Sequence, residues 1–167
     1  MAKDISNTSL HLSKQNFKFS SAHFLIFDQH SAEKLHGHNY QVRLDILVPP
    51  ENKSLNDQGF FIDFNVFKKY VKARLDIWDE HVLLPAKHPE MKVSVKGPSL
   101  EVRFRERFYV FPKDEVHLLD VTNTSVEQLS RILAQDFFNE FKKYGVLSLR
   151  VRVEETRGQA ASTSISL

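Results

Sequence analysis

The chain has 167 residues, enough for one domain with one hydrophobic core, and its 41% hydrophobic and 26% charged residues exclude a disordered or fibrous protein. It contains no cysteine, which excludes disulfides, thiolate metal ligands and a cysteine nucleophile. With 23 lysines and arginines against 21 aspartates and glutamates, the net charge of +2 is too small for a dedicated nucleic-acid-binding protein.

The N-terminal half predicts two strands and a helix. Residues 1–14 are polar and lack the pattern of a secretory leader, so we expect a frayed lead-in to a cytoplasmic protein. Residues 15–25 and 36–48 alternate between apolar and polar side chains, as half-buried strands do. Residues 49–59 are rich in turn-forming residues and predict a loop. Residues 65–77 carry apolar side chains at helical spacing.

The C-terminal half predicts a hairpin, a second helix and a strand within one domain spanning 1–167. Residues 92–121 contain short apolar stretches separated by Gly-Pro and Pro-Lys-Asp, which indicates an inserted β-hairpin. Thr124 and Glu127 form a capping box, and the apolar stripe behind them predicts a helix to about residue 143. Residues 147–156 alternate and predict a strand. This order indicates an α+β fold, with two helices on one face of an antiparallel sheet. No apolar run is long enough to cross a membrane.

Three histidines are expected to meet at one point. His36 and His38 are two residues apart on one predicted strand, so their side chains lie on the same side of it. His23 belongs to the inward face of the neighbouring strand. Three converging imidazoles with an open fourth position are the ligand set of a catalytic zinc site. The alternative interpretation is three unrelated core or surface histidines.

Three acidic positions are candidates for acid–base or binding roles. Glu33 precedes the histidine pair and can act as a general base, unless it is an ordinary loop residue. Asp79 and His81 follow the first helix, where a carboxylate can orient a ring for proton transfer; the alternative is an acidic turn. Glu155 occupies the inward register of the last strand, where a carboxylate can accept two N–H bonds from a ligand with an amidine-like edge. If the strand ends before it, Glu155 is solvated instead.

Together these motifs resemble the 6-pyruvoyl-tetrahydropterin synthase / 6-carboxy-tetrahydropterin synthase family over nearly the whole chain. The matching segments, in order, are FSSAHFL (19–25), LHGHNY (35–40), GFFIDF (59–64), WDEHVLL (78–84), NTSVEQLSRIL (123–133) and VEET (153–156). The resemblance implies the T-fold, a four-stranded antiparallel sheet with two helices. Such subunits close into a barrel as trimers, usually stacked as hexamers, with sites between subunits.

The resemblance also implies what the site residues do. It implies zinc bound by His23, His36 and His38. It implies that Glu155 holds the amino-pyrimidine edge of a pterin, with Thr156 and Ser125 nearby.

Two positions depart from the family's usual pattern. Ala32 stands where the family has a proton-transfer cysteine, and Glu33 instead creates an E-x-x-H-G-H motif. This motif resembles a variant class associated with folate synthesis, where it replaces dihydroneopterin aldolase. Glu80 stands where the histidine of the Asp-His pair is expected, and His81 follows it. Either His81 takes over the role of that ring or the proton relay is altered.

The resulting hypothesis is a zinc-dependent lyase that cleaves 7,8-dihydroneopterin triphosphate to 6-hydroxymethyl-7,8-dihydropterin. In it Glu33 is the base, and Asp79 and His81 return a proton. The same site could instead make 6-pyruvoyl-tetrahydropterin or 6-carboxy-tetrahydropterin, although the missing cysteine weighs against both. A pterin-binding protein with little catalysis is the other alternative, which Glu80 favours. The expected partners are the pterin triphosphate and copies of this chain, without nucleic acid or membrane.

Overall fold

The computed structural model describes residues 8–49 and 55–167, which form two β-sheets and two α-helices. Part of the predicted lead-in (1–7) and the centre of the predicted loop (50–54) lie outside the described residues. In chain order the elements are β1 (Ser9–Leu12), β2 (Lys18–His23), β3 (His36–Leu47), α1 (Phe64–Asp76), β4 (His81–Pro85), β5 (Met91–Lys96), β6 (Ser99–Phe104), β7 (Arg107–Pro112), β8 (Val116–Leu119), α2 (Val126–Phe141), β9 (Ser148–Thr156) and β10 (Gln159–Ser166). A search of these residues finds no helix both long and apolar enough to span a membrane.

The larger sheet is seven-stranded and mixed, and it contains the expected four-stranded antiparallel sheet as its neighbouring strands β10, β9, β3 and β2. Its strand order is β10-β9-β3-β2-β4-β8, and β1 also pairs with β3. The pairs β2–β4 and β4–β8 are parallel, and the others are antiparallel. The strands missing from the prediction had no readable alternation: β1, β4 and β8 are four or five residues long, and β10 consists mainly of alanine, serine and threonine.

Both helices pack against this sheet in one hydrophobic core, as predicted. Helix α1 begins after Asp63, whose side chain accepts a hydrogen bond from the Asn65 amide at 2.8 Å. The core contains side chains from both helices and from the sheet, the largest being Trp78, Tyr40, Phe17, Phe19, Phe67, Phe137 and Phe141. The fold is therefore α+β, as the order of elements indicated.

The second helix begins one residue later than the predicted cap. Ser125, rather than Thr124, is the N-cap, and its hydroxyl accepts from the Gln128 amide at 3.5 Å. Thr124 is fully buried, and its hydroxyl donates to the Phe24 carbonyl at 3.2 Å. The capping pattern thus predicted the helix correctly. The Thr124 hydroxyl does not form the cap because it donates to the Phe24 carbonyl instead.

The inserted region is larger than the predicted hairpin. Strands β5, β6 and β7 form a three-stranded antiparallel sheet, whereas β8 returns to the larger sheet. The first turn contains Gly97 in the left-handed region at φ 58°, but the second places Arg105 there at φ 55°. Phe108 and Val110 form an apolar stretch in β7, but the second turn contains neither glycine nor proline, so a hairpin was predicted rather than three strands. This smaller sheet has its own hydrophobic core, which includes Phe24, Ile26, Leu84, Leu100, Val102 and Phe104.

Candidate metal centre and adjoining groove

The pairing of β2 with β3 brings the three predicted histidines together. His23 lies opposite His36 in the antiparallel register, and His38 follows on the same face of β3. One ring nitrogen of each histidine lies within 4.8 Å of those of the other two. The closest pair is Nε2 of His36 and Nε2 of His38, which are 2.8 Å apart. The three rings can therefore act as one metal-ligand set.

Backbone carbonyls orient two of the three rings. Nδ1 of His23 donates to the carbonyl of Thr124 at 3.0 Å, and Nδ1 of His36 donates to the carbonyl of Lys34 at 2.8 Å. Because a carbonyl only accepts, the proton of each neutral ring lies on Nδ1 and the lone pair on Nε2. This is the usual arrangement around metal-binding histidines.

The buried Nε2 of His23 faces the carboxylate of Glu155. His23 is fully buried, and its Nε2 has no hydrogen-bond partner. Oε1 of Glu155 lies 3.1 Å from this nitrogen. With Nδ1 protonated, both atoms are acceptors, and two buried acceptors facing each other are unfavourable without a proton or a metal ion. Burial lowers the pKa of His23. This effect is larger than the opposing effects of the Thr124 carbonyl and the Glu155 charge, which both raise the pKa. The neutral imidazole is the form that coordinates a metal, so these residues fit one.

Glu155 is held at the edge of the histidine cluster. Strand β9 continues to Thr156, so Glu155 keeps the inward register and its side chain is only 15% exposed. Its Oε1 accepts from the Tyr40 hydroxyl at 3.2 Å and lies 3.7 Å from Nε2 of His38. Burial, followed by the negative charge of Glu155, raises the pKa of Tyr40, so the phenol stays a donor.

Glu33 reaches the same centre from the loop between β2 and β3. Its carboxylate oxygen Oε2 lies 3.8 Å from Nε2 of His36. The same oxygen accepts from the Leu25 amide at 3.1 Å, and the Glu33 amide donates to the Leu25 carbonyl at 2.8 Å. The structure thus places a fixed, partly exposed carboxylate beside the histidines, as the position of Glu33 before the histidine pair predicted.

A solvent-open groove of about 670 Å³ adjoins the cluster. It is lined by Ser20, Ser21, Ala22, Gly37, His38, Asn39, Glu80, His81, Val82, Glu155 and Thr156. It therefore contains several of the predicted site residues and is large enough for a small molecule.

Asp79 does not orient the ring of His81 with its carboxylate, contrary to the expectation. Its Oδ1 accepts from the Ser20 amide at 2.7 Å, and its backbone carbonyl accepts from Nδ1 of His81 at 2.5 Å. The reason is the parallel pairing of β2 with β4, which places the start of β4 beside free backbone groups of β2. The Glu80 amide also donates to the Ser20 carbonyl, and Glu80 adopts φ 60°, a left-handed conformation that is uncommon outside glycine. Asp79 thus holds the start of β4 against β2. Its carbonyl contacts Nδ1 of His81 and leaves the other ring nitrogen, Nε2, without that contact.

Ser125 is the one predicted substrate contact that the structure does not bring to the groove. Its hydroxyl caps α2, and it is not among the groove-lining residues. Thr156 does line the groove, and its hydroxyl donates to the side chain of Gln159 at 2.8 Å.

The sequence patterns did not identify three residues that contact the site. Tyr40 shares the inward face of β3 with His36 and His38, so the alternation itself could have identified it. Thr124 contacts His23 through its backbone carbonyl, for which a sequence carries no signal. The ring of His117 packs on that of His81 at 4.5 Å between centroids, and burial followed by this neighbour lowers the pKa of His117.

Comparison with known proteins finds one family model and several relatives that match most of the chain. A family model described as 6-pyruvoyl tetrahydropterin synthase matches residues 11–165. A Methanocaldococcus jannaschii protein with the provisional name 6-carboxy-5,6,7,8-tetrahydropterin synthase is 28% identical over 147 residues, covering 86% of this chain and 87% of its own. A Pyrococcus abyssi protein with the same provisional name is 25% identical over 151 residues, covering 90% and 87%.

Solved structures show the same fold. The 6-pyruvoyl tetrahydropterin synthase of Plasmodium falciparum superposes with a TM-score of 0.86 at 24% identity, covering 97% of this chain and 99% of its own. A Plasmodium vivax 6-pyruvoyltetrahydropterin synthase, in which a glutamate described as a catalytic residue is replaced by alanine, gives a TM-score of 0.87 at 23% identity with the same coverage.

Proposed function

This chain belongs to the 6-pyruvoyl tetrahydropterin synthase family, whose members are lyases acting on pterins, and we propose that it cleaves 7,8-dihydroneopterin triphosphate to 6-hydroxymethyl-7,8-dihydropterin in a zinc-dependent reaction. The observation that carries this proposal is the carboxylate of Glu33, 3.8 Å from His36 in a chain without cysteine. Within the part of the chain that the structure describes, the β2–β3 loop thus presents one acid–base group to the histidine cluster, and that group is a carboxylate. This product would serve folate synthesis.

His23, His36 and His38 would hold the zinc ion. The unpartnered Nε2 of His23 and the backbone hydrogen bonds of His23 and His36 support this assignment. When bound there, zinc would act as a Lewis acid that makes the side-chain hydroxyls of the substrate more acidic.

Glu33 takes the proton from the hydroxyl on the second side-chain carbon. The bond between the first and second side-chain carbons then breaks, and its electron pair passes to the first carbon and the dihydropterin ring. The second carbon becomes the carbonyl of a two-carbon aldehyde that carries the triphosphate. A carboxylate is sufficient for this step because the acidified hydroxyl needs only a weak base. The Plasmodium vivax protein, in which the residue described as catalytic is a glutamate, supports this residue type.

His81 returns a proton to the first side-chain carbon, which completes the hydroxymethyl group. Its ring lines the groove, and its Nδ1 is occupied by the Asp79 carbonyl, so Nε2 is the nitrogen available for transfer. Asp79 contributes by fixing this segment against Ser20 rather than by contacting the ring with its carboxylate. The side chain of Glu80 is exposed at the groove. His81 takes over the role of the histidine that the family usually has at the position of Glu80.

Glu155 holds the amino-pyrimidine edge of the pterin, with Thr156 beside it in the groove. A charged carboxylate accepting two N–H bonds gives both affinity and orientation. The hydroxyl of Ser125 caps helix α2 and takes no part in this binding.

The Glu155→Gln variant is expected to bind substrate about 10- to 100-fold more weakly, because the hydrogen bonds lose their charge. Its neighbour Glu154 provides the matched control: its side chain is similarly buried but contacts Arg152 and Arg43 on the other face of β9. Steady-state kinetics of Glu155→Gln and Glu154→Gln measure the difference in KM. Equal KM values for the two variants would remove Glu155 from pterin binding.

Assembly into trimers, stacked as hexamers, is the expected state of the active protein. The open side of the groove and several exposed apolar side chains support it, among them Phe64, Ile77 and Leu118. The cytoplasmic location stays a prediction from the sequence.

One alternative is favoured by a specific observation. The two archaeal relatives carry the name 6-carboxy-5,6,7,8-tetrahydropterin synthase, which is a different product of the same family. The absence of cysteine weighs against it here.

Turnover of the substrate tests the proposal. Zinc-loaded protein, shown by light scattering to be a trimer or hexamer, is incubated without oxygen with 7,8-dihydroneopterin triphosphate. The substrate is expected to disappear, to persist after the metal is chelated, and to disappear again when zinc is restored. Persistence of the substrate with zinc bound would contradict a lyase and favour a pterin-binding protein.

A further inference from the structure

The loop that carries Glu33 rests on the smaller sheet. Residues 24–35 connect β2 to β3, and Phe24 and Ile26 are buried in the core of that sheet. Ala32 and Leu35, on either side of Glu33, pack against the same core. The position of Glu33 therefore depends on the inserted strands and not only on β2 and β3.

Arg107, the first residue of β7, contacts the backbone on both sides of Glu33. One terminal nitrogen of its guanidinium donates to the Glu33 carbonyl, and the other donates to the Ala32 carbonyl at 2.9 Å. The guanidinium also lies 5.6 Å from the ring centroid of Phe24 and 5.8 Å from that of Phe104. The side chain is thus held in a half-buried position between the loop and the smaller sheet.

These two carbonyls define the backbone of Glu33. The Ala32 carbonyl belongs to the peptide before the Cα of Glu33, and the Glu33 carbonyl belongs to the peptide after it. Fixing both peptide planes fixes φ and ψ of Glu33, and with them the direction of its Cα–Cβ bond. The planar, forked guanidinium can reach two neighbouring acceptors at once, which a lysine ammonium does less well.

We propose that Arg107 is a positioning residue for the catalytic base, and that the inserted sheet serves to hold the Glu33 carboxylate beside the histidine cluster. This inference rests on the proposed function of Glu33. Misplacing a reacting group by about 1 Å can lower the rate roughly 100-fold. Because Arg107 contacts backbone rather than substrate, its loss changes kcat and leaves substrate binding intact.

The Arg107→Met variant is expected to lower kcat about 10- to 100-fold, with KM and zinc content unchanged. Arg107→Lys should recover part of kcat, because one of the two donors is restored. Arg103→Met is the matched control, since Arg103 lies on the same sheet but its guanidinium packs on the exposed Phe108 ring at 4.1 Å. Its kcat should equal that of the unmodified protein.

A second readout does not depend on activity. Amide hydrogen exchange at Glu33 and its neighbours should be faster in Arg107→Met than in Arg103→Met, because the loop loses two hydrogen bonds to the smaller sheet. Adding Arg107→Met to Glu33→Gln should cause no further loss of kcat, since the two residues act as one unit.

The outcomes separate this inference from the function on which it rests. If Glu33→Gln is inactive while Arg107→Met keeps full kcat and normal exchange in residues 25–35, the positioning role is overturned and the base assignment stands. If Glu33→Gln is fully active, the base assignment itself fails, whatever Arg107→Met does to the exchange of the loop.

Discussion

Replacing Glu33 with glutamine is expected to leave zinc bound and to remove nearly all turnover. Glutamine has almost the same shape and can keep the hydrogen bond from the Leu25 amide, but it cannot accept a proton from the substrate. Loss of a general base lowers rates by about 10²- to 10⁴-fold. The measurement is single-turnover consumption of 7,8-dihydroneopterin triphosphate, together with metal analysis of the same sample.

The control for this variant is Glu106→Gln. Glu106 is an exposed glutamate in the turn between β6 and β7, and none of the described contacts joins it to the histidine cluster. Its turnover should match that of the unmodified protein. Full activity of Glu33→Gln with zinc present would show that another group removes the proton.

Replacing His36 with alanine is expected to abolish both zinc binding and turnover. His36 supplies one of three ring nitrogens, and two remaining imidazoles are too few for a stable tetrahedral zinc site. This position suits the test better than His23, because its side chain is 36% exposed and its removal opens no cavity in the core. Zinc content should fall from about one ion per chain to a small fraction, as measured by inductively coupled plasma mass spectrometry.

His30→Ala is the matched control for the loss of a histidine. His30 lies on the same loop as Glu33, is exposed, and is not part of the histidine cluster. This variant should keep zinc and activity. Zinc retained at full occupancy in His36→Ala would mean that the metal is bound elsewhere or by a different set of ligands.

The fold could be predicted where hydrophobic periodicity is long and regular. Strand β3 alternates over twelve residues, and both helices carry apolar stripes of several turns, so each was located to within a few residues. Strand β4 was missed because its last three side chains are all buried and do not alternate, and β8 because its four residues are too few to show a pattern. The third strand of the insertion, β7, does alternate, but the turn before it has no glycine or proline to separate it from β6.

The site could be predicted where its geometry follows from strand register. The His-x-His spacing places two rings on one face, and antiparallel pairing brings His23 to them. Glu155 likewise follows from the alternation of β9. The contacts of Asp79 with Ser20, of Thr124 with His23 and of Arg107 with the Glu33 loop could not be predicted, because each joins a backbone group to a residue at least 59 positions away.

Identification of the product tests the central claim most directly. Zinc-loaded protein is incubated without oxygen with 7,8-dihydroneopterin triphosphate, and the pterins are separated and identified by mass spectrometry. The Glu33→Gln variant is run in parallel as the inactive reference. The expected products are 6-hydroxymethyl-7,8-dihydropterin and a two-carbon aldehyde triphosphate, formed in equal amounts only by the unmodified protein. A product that retains all three side-chain carbons, with loss of triphosphate, or 6-carboxy-tetrahydropterin as the main product, would contradict this prediction.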